Sequence, residues 1–377
     1  MFKYGIENLN KHLDLFKGKR VGLLTNPSGT DQNFRATVDI LNEHTNLTAL
    51  FSPEHGLRGN LQDGDVIHNY VDEETGIMVY SLYGQHRKPT KEMLEDVDII
   101  CYDIQDVGAR FYTYIYSLAH TMEAAKEHGK KVVVFDRPNP VGPEVEGNIL
   151  NLKYRSFIGY YEIPQRYGLT VGELAHLFNN EFGINCDLEV IKMSGYKRDS
   201  TWYDYNLPFI LPSPNLPTVD SLFVYLATCI FEGTNVSEGR GTTRPFSIIG
   251  APWFKSKELV EIFSKKIPHA KFKTLYFTPV SSKHKGVMCS GVEIYVTDYK
   301  KFEPVIAGMI MLKEIEKLHE EFSYNPPWTE FGNRMIDLNV GDDFIRENTL
   351  TIDEIKAKFA KDKKEFLKIK EKYHLYD

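Results

Sequence analysis

The chain has 377 residues, of which 42% are hydrophobic and 26% charged. That is the composition of a soluble globular protein long enough for two domains, and it excludes collagen-like, disordered and disulfide-scaffold classes. The 52 acidic residues outnumber the 45 basic ones, a net charge of −7, which argues against nucleic acid as the main partner. From the N-terminus onward, Met1-Phe2-Lys3-Tyr4-Gly5-Ile6 lacks the apolar core of a signal peptide, and no lipid-acceptor cysteine lies near it. No run of about 18 apolar residues occurs, so no membrane partner is expected; the chain as written reads as cytoplasmic, or as secreted or periplasmic if a signal segment was trimmed from it.

Residues 20–25 read as a strand ending in the turn Asn26-Pro27-Ser28-Gly29. A helical stretch over 35–43 leads to a second strand over 47–51. Apolar runs at 77–80 and 97–102 follow, the latter preceded by a helical stretch over 90–95. Residues 114–128 have helical periodicity and stop at Gly129, before a fifth strand at 131–135. A helix over 171–181 and a strand over 188–193 extend the pattern. Continuous β-branched runs alternating with helices predict an α/β fold, a doubly wound parallel sheet covered on both faces.

Beyond the Pro-rich loop 211–217, a helix over 219–230 runs into a glycine-dense loop, 233–241. Helices over 257–265 and 302–319 and strands over 272–279 and 291–297 predict a smaller α/β unit. Residues 352–373 form a Lys-rich amphipathic helix whose charges read as a solvated face. The expected domains are therefore 1–230 and 231–377.

In an open parallel sheet, ligands bind at the carboxyl ends of the strands. Here those ends are Asn26-Pro27-Ser28-Gly29, Ser52-Pro53-Glu54-His55-Gly56, Asp103-Ile104-Gln105-Asp106-Val107-Gly108-Ala109-Arg110 and Asp136-Arg137-Pro138-Asn139-Pro140. The first loop lacks the G-x-G-x-x-G of dinucleotide binding, and no Walker motif occurs. The four cysteines are scattered, and no metal-ligand spacing such as H-E-x-x-H is present, so neither cofactor nor metal is expected.

Glu54 stands out: Pro53 stiffens the turn before it and Gly56 lets the chain leave sharply, so its carboxyl can project into a cleft. A partly desolvated glutamate can act as a general acid near neutral pH; the alternative is a turn or capping acid. His55 can orient Glu54, bind substrate, or do neither. Asp103, at the end of its strand, is expected to face the same cleft, or else to cap the next helix. Glycoside hydrolysis commonly uses two carboxyl groups about 5 to 10 Å apart, a separation that neighbouring strand ends can supply. Asp136-Arg137 reads equally as a buried ion pair. The loop 231–246 carries Glu232, Glu238, Arg240, Thr242 and Arg244 among glycines, and can close a cleft over an anionic ligand or serve as a linker.

These strand-end segments, with Phe111-Tyr112-Thr113-Tyr114, Glu232-Gly233-Thr234-Asn235 and Glu238-Gly239-Arg240-Gly241-Thr242-Thr243, together resemble the exo-β-N-acetylmuramidases of glycoside hydrolase family 171. The resemblance runs in order over nearly the whole chain. It implies a Rossmann-like domain plus a smaller C-terminal domain, with the site in a cleft between subdomains. It also implies release of N-acetylmuramic acid from the non-reducing end of β-1,4-linked peptidoglycan fragments, with Glu54 matching the family's proposed catalytic glutamate.

On that basis Glu54 is expected to protonate the glycosidic oxygen. Asp103 is expected to activate water, or to steady the acetamido group if that group is the nucleophile. Arg110, Arg137 or Arg240 is expected to pair with the lactyl carboxylate of the saccharide. Asn26, His55, Gln105, Tyr112, Asn139, Glu232, Glu238 and Thr242 complete the expected binding surface. Two alternatives stay open: a nucleotide-sugar or dinucleotide enzyme on the same fold class, and a non-catalytic saccharide-binding module.

Overall fold

The structure, a computed structural model, describes residues 2–54, 56–57, 68–84, 86–328 and 332–377. Its larger sheet contains β1 (Arg20–Thr25), β2 (Asn46–Ser52), β3 (Tyr70–Val71), β4 (Met78–Ser81), β5 (Ile99–Asp103), β6 (Lys131–Phe135) and β7 (Asp187–Ile191), in the order β3-β4-β2-β1-β5-β6-β7. All pairings are parallel except that of the edge strand β3 with β4. Without β3, the order is that of the Rossmann fold, with the switch point between β1 and β5. Val21, Leu23 and Leu24 of β1, Ile100 and Cys101 of β5 and Val132, Val133 and Val134 of β6 are fully buried. Burial of successive residues is what a strand covered on both faces requires.

Helix α1 (Thr37–His44) joins β1 to β2, whereas α2 (Tyr114–Glu127) and α3 (Val171–Glu181) carry the chain in the opposite direction along the sheet. Right-handed crossovers therefore put α1 on one face and the mutually packed α2 and α3 on the other. The Thr170 hydroxyl accepts from the Glu173 amide at the start of α3, while Glu173 accepts from the Thr170 amide; this capping box sets where the helix begins. The expected helix at 90–95 is a single 3-10 turn, Glu92–Leu94.

The second layer holds α4 (Val219–Thr228), β8 (Ile248–Ala251), α5 (Ser256–Lys266), β9 (Ala270–Phe277), β10 (Cys289–Val296), α6 (Pro304–Leu318), α7 (Met335–Val340) and α8 (Ile352–Lys370). Its three strands are antiparallel, in the order β8-β10-β9. Helix α4 packs on α6, and α6 on α8. The chain then returns to the first sheet: the Tyr376 hydroxyl donates to Asp136 Oδ2 at 2.6 Å, and the Arg198 amide donates to the Asp377 carbonyl at 2.9 Å. Among the described residues, no helix is long and apolar enough to cross a membrane.

Glu146 joins the two layers by accepting from the Ile306 amide at the start of α6, 2.8 Å away. Burial raises its pKa to about 7, and Arg166, with Nη1 3.9 Å from Oε2, only partly opposes that shift. A carboxyl raised in this way favours the native state when protonated, so its stabilisation holds below the ordinary value of 4.5 and is lost as pH rises through about 7. Denaturant titrations should therefore show stability falling between about pH 5 and pH 8. Glu146→Gln, a neutral isostere, should remove about 1–3 kcal/mol of that fall; an unchanged slope would refute the assignment.

Candidate active site

The crevice between β1 and β5 is filled by protein. Asp103, with no exposed surface, accepts from Arg137 Nε at 2.5 Å and Nη2 at 2.9 Å, and from the Thr37 hydroxyl of α1. Arg137 Nη2 also donates to the Thr30 carbonyl at 2.7 Å, and the guanidinium carbon lies 4.6 Å from the centre of the Tyr4 ring. The pair thus ties the ends of β1, β5 and β6 to α1 and the N-terminal segment. The expectation that Asp103 faces the same cleft as Glu54 is not met, because Asp103 is enclosed by its partners. Arg137 is likewise closed to a saccharide, and its partner is Asp103 rather than Asp136. Asp136 instead accepts from Tyr376, Thr170 Oγ1 and the Gly172 amide.

Most other strand-end groups are spent within the protein. Arg110 is fully buried and donates to the carbonyls of Asn148, Ile163, Asn339 and Val340. The last two carbonyls end α7, where a cation complements the helix dipole. Burial lowers the Arg110 pKa to about 10. Gln105 Nε2 donates to the Asp106 and Pro138 carbonyls, and Asn139 joins the Leu169 carbonyl to the Val141 amide. Asp106 accepts from the Gly108 amide and the Tyr167 hydroxyl, and burial raises its pKa. Asn26 Oδ1 accepts from Ser28, while its Nδ2 donates to the Pro212 carbonyl and draws the Pro-rich loop across the end of β1.

The open cleft lies beside this plug, beyond the ends of β2 and β4. Glu54 lines it together with Tyr112, Thr113 and Tyr114 before and at the start of α2, Ser213 and Asn215 of the Pro-rich loop, Tyr225 of α4, and Glu232 and Arg240. Gly56 has φ 78°, the left-handed conformation expected for the turn after Glu54. The Tyr114 hydroxyl lies 3.2 Å from the Glu54 carbonyl and 3.0 Å from that of Pro212, bridging two walls of the cleft. Tyr112 stands edge-on to Tyr114 and Tyr225. His55 lies outside the described residues.

Glu232 belongs to the 3-10 turn Cys229–Gly233, which packs on α7. A Cβ on Gly233 would come within 2.4 Å of the Ile336 nitrogen, so only glycine permits this approach. Asn325 holds the turn by donating from Nδ2 to the Glu232 carbonyl at 3.0 Å. Glu232 Oε1 accepts from Arg240 Nη2 at 2.7 Å, and its Oε2 lies 3.5 Å from Cys229 Sγ. Burial holds the Cys229 thiol protonated, well above its ordinary pKa. Arg240 Nε is also 3.6 Å from Glu238 Oε1, and buried Glu238 accepts from Lys283 at 2.9 Å. The Thr242 hydroxyl donates to the Gly239 carbonyl, and Thr242 lines a groove that adjoins the cleft at Asn215 and Arg240. Among the described residues, no group of three or more His, Cys, Asp or Glu side chains is arranged to hold a metal ion.

This geometry, with Glu54 and Glu232 brought together from positions far apart in sequence, coincides with a family match over both parts of the chain. Residues 21–220 match the N-terminal domain of the exo-β-N-acetylmuramidase NamZ, and residues 223–376 match its C-terminal domain. The chain belongs to the NamZ family. It is 51% identical over 368 residues to the peptidoglycan β-N-acetylmuramidase NamZ of Bacillus subtilis strain 168, covering 96% of this chain and 87% of that one. Two crystal structures of DUF1343 family proteins from Bacteroides fragilis NCTC 9343 share the fold. One has a TM-score of 0.90 at 36% identity and the other 0.80 at 33%, each alignment covering 100% of this chain and 99% of the other.

Three further cleft residues of this NamZ-family chain, Ser213, Asn215 and Tyr225, stand at no strand end. The Pro-rich loop was a signal for the first two; Tyr225 lies in an apolar helix and carried none. The buried pair is expected to be structural. Asp103→Asn should lower unfolding free energy by about 3–5 kcal/mol in denaturant titrations, as for one-sided loss of a buried ion pair. Native stability in that variant would contradict the role.

Proposed function

We propose that this chain is an exo-acting β-N-acetylmuramidase that releases N-acetylmuramic acid from the non-reducing end of β-1,4-linked peptidoglycan fragments. The observation that carries the mechanism is the presence of Glu54 and the Glu232–Arg240 pair in one cleft lined by tyrosines and amide groups. Family membership and the 51% identical muramidase support the substrate. The plugged crevice weighs against a dinucleotide enzyme, because the Asp103–Arg137 pair occupies the place where a pyrophosphate would sit.

Glu54 transfers its proton to the glycosidic oxygen while the bond from that oxygen to C1 breaks. The departing sugar leaves with a free hydroxyl, water supplies the new hydroxyl on C1, and the proton released from that water restores the site. Positive charge develops on the sugar ring as the bond breaks. Glu232, held by Arg240 and Cys229, supplies negative charge that stabilises it.

Hydrolysis of a chromogenic β-N-acetylmuramide tests these roles. Glu54→Gln should reduce kcat by about 10²–10⁴-fold, the range for loss of a general acid. Its melting temperature should stay near that of the native chain, since glutamine keeps the size and shape of the side chain. Glu232→Gln should lower kcat by about 10-fold or more through loss of charge stabilisation. Native turnover by Glu54→Gln would overturn its assignment.

A further inference from the structure

Two chambers meet at Glu54, and Thr113 and Phe157 belong to both. One chamber runs toward Glu232 and Arg240; the other is bounded by Tyr83, Arg87, His120 and Trp328. Arginines therefore flank Glu54 on both sides, in different charge environments. Arg240 is bonded to Glu232 and lies 3.6 Å from a Glu238 oxygen, so its charge is already offset. Among the described residues, Arg87 meets no carboxylate. Its guanidinium carbon stands 5.0 Å from the centre of the Phe157 ring, and that ring packs against Trp328 at 5.4 Å. An aromatic face holds a guanidinium in orientation while leaving its N–H donors free for an anion.

We propose that Arg87 binds the carboxylate of the terminal sugar, so that the Arg87 chamber receives its lactyl group and determines the preference for the acidic sugar. The inference rests on the muramidase reading and identifies which arginine serves it. Thr113 and Phe157 line both chambers, so a ring held beside Glu54 itself faces Glu232 while a substituent of that ring enters the Arg87 side. A carboxylate there gains charge-assisted hydrogen bonds that a neutral analogue cannot make.

Titration calorimetry with N-acetylmuramic acid and its lactyl methyl ester tests this directly. The wild-type chain should bind the acid about 10- to 100-fold more tightly than the ester. Arg87→Ala should bind both alike, Arg87→Lys should keep part of the preference, and Arg240→Ala should retain it. Preference retained in Arg87→Ala, lost in Arg240→Ala, or absent from the wild type would overturn the proposal. Turnover of a chromogenic muramide separates the two readings. Hydrolysis with an acid preference independent of Arg87 removes only the role of Arg87, whereas Arg87-dependent binding without turnover removes only the glycosidase reading.

Discussion

The buried ion pair between Asp103 and Arg137 governs where a ligand can sit in this fold. It lies at the switch point of a Rossmann-like sheet, the position at which open α/β folds ordinarily bind ligands. With both partners almost entirely enclosed and the Thr37 hydroxyl and Thr30 carbonyl completing their bonds, the crevice is packed shut. Desolvating two charges is costly unless the geometry is good and the remaining polar atoms are satisfied; here the bidentate contact and its flanking bonds meet that condition. The open space is displaced to the ends of β2 and β4, where Glu54 lies.

A second consequence is that the cleft requires the C-terminal layer. Glu232 is held on a short turn whose backbone is bonded to Asn325 and whose glycine allows contact with α7. The far end of α7 is held by Arg110, from the loop after β5. The same first-sheet loop therefore supplies Tyr112 to one wall and, through Arg110 and α7, steadies the element that supports Glu232 on another. Glu54 and Glu232 are brought together by packing between layers, not by local sequence.

Much of this architecture was legible beforehand. β1 and β6 fall on residues 20–25 and 131–135 as expected, because fully buried parallel strands are continuous apolar runs with sharp polar ends. The two-residue β3 and the four-residue β8 were too short to show a period, and α7 has only six residues. Position at a strand end points to Glu54 but equally to Asp103, Arg137 and Arg110. Buried ion pairs, helix-end cations and ligand sites all use the same residue types, and only burial distinguishes them. Arg87 and Trp328 showed no pattern at all, because their significance comes from standing beside Phe157 and Glu54 in space.

The account is tested most directly by the products formed from glycan strands of alternating N-acetylglucosamine and N-acetylmuramic acid that begin with the latter. Mass spectrometry should find free N-acetylmuramic acid from the earliest times, and strands shortened by that one residue at the non-reducing end. Disaccharides or mid-chain fragments as first products, or intact strands, would contradict it.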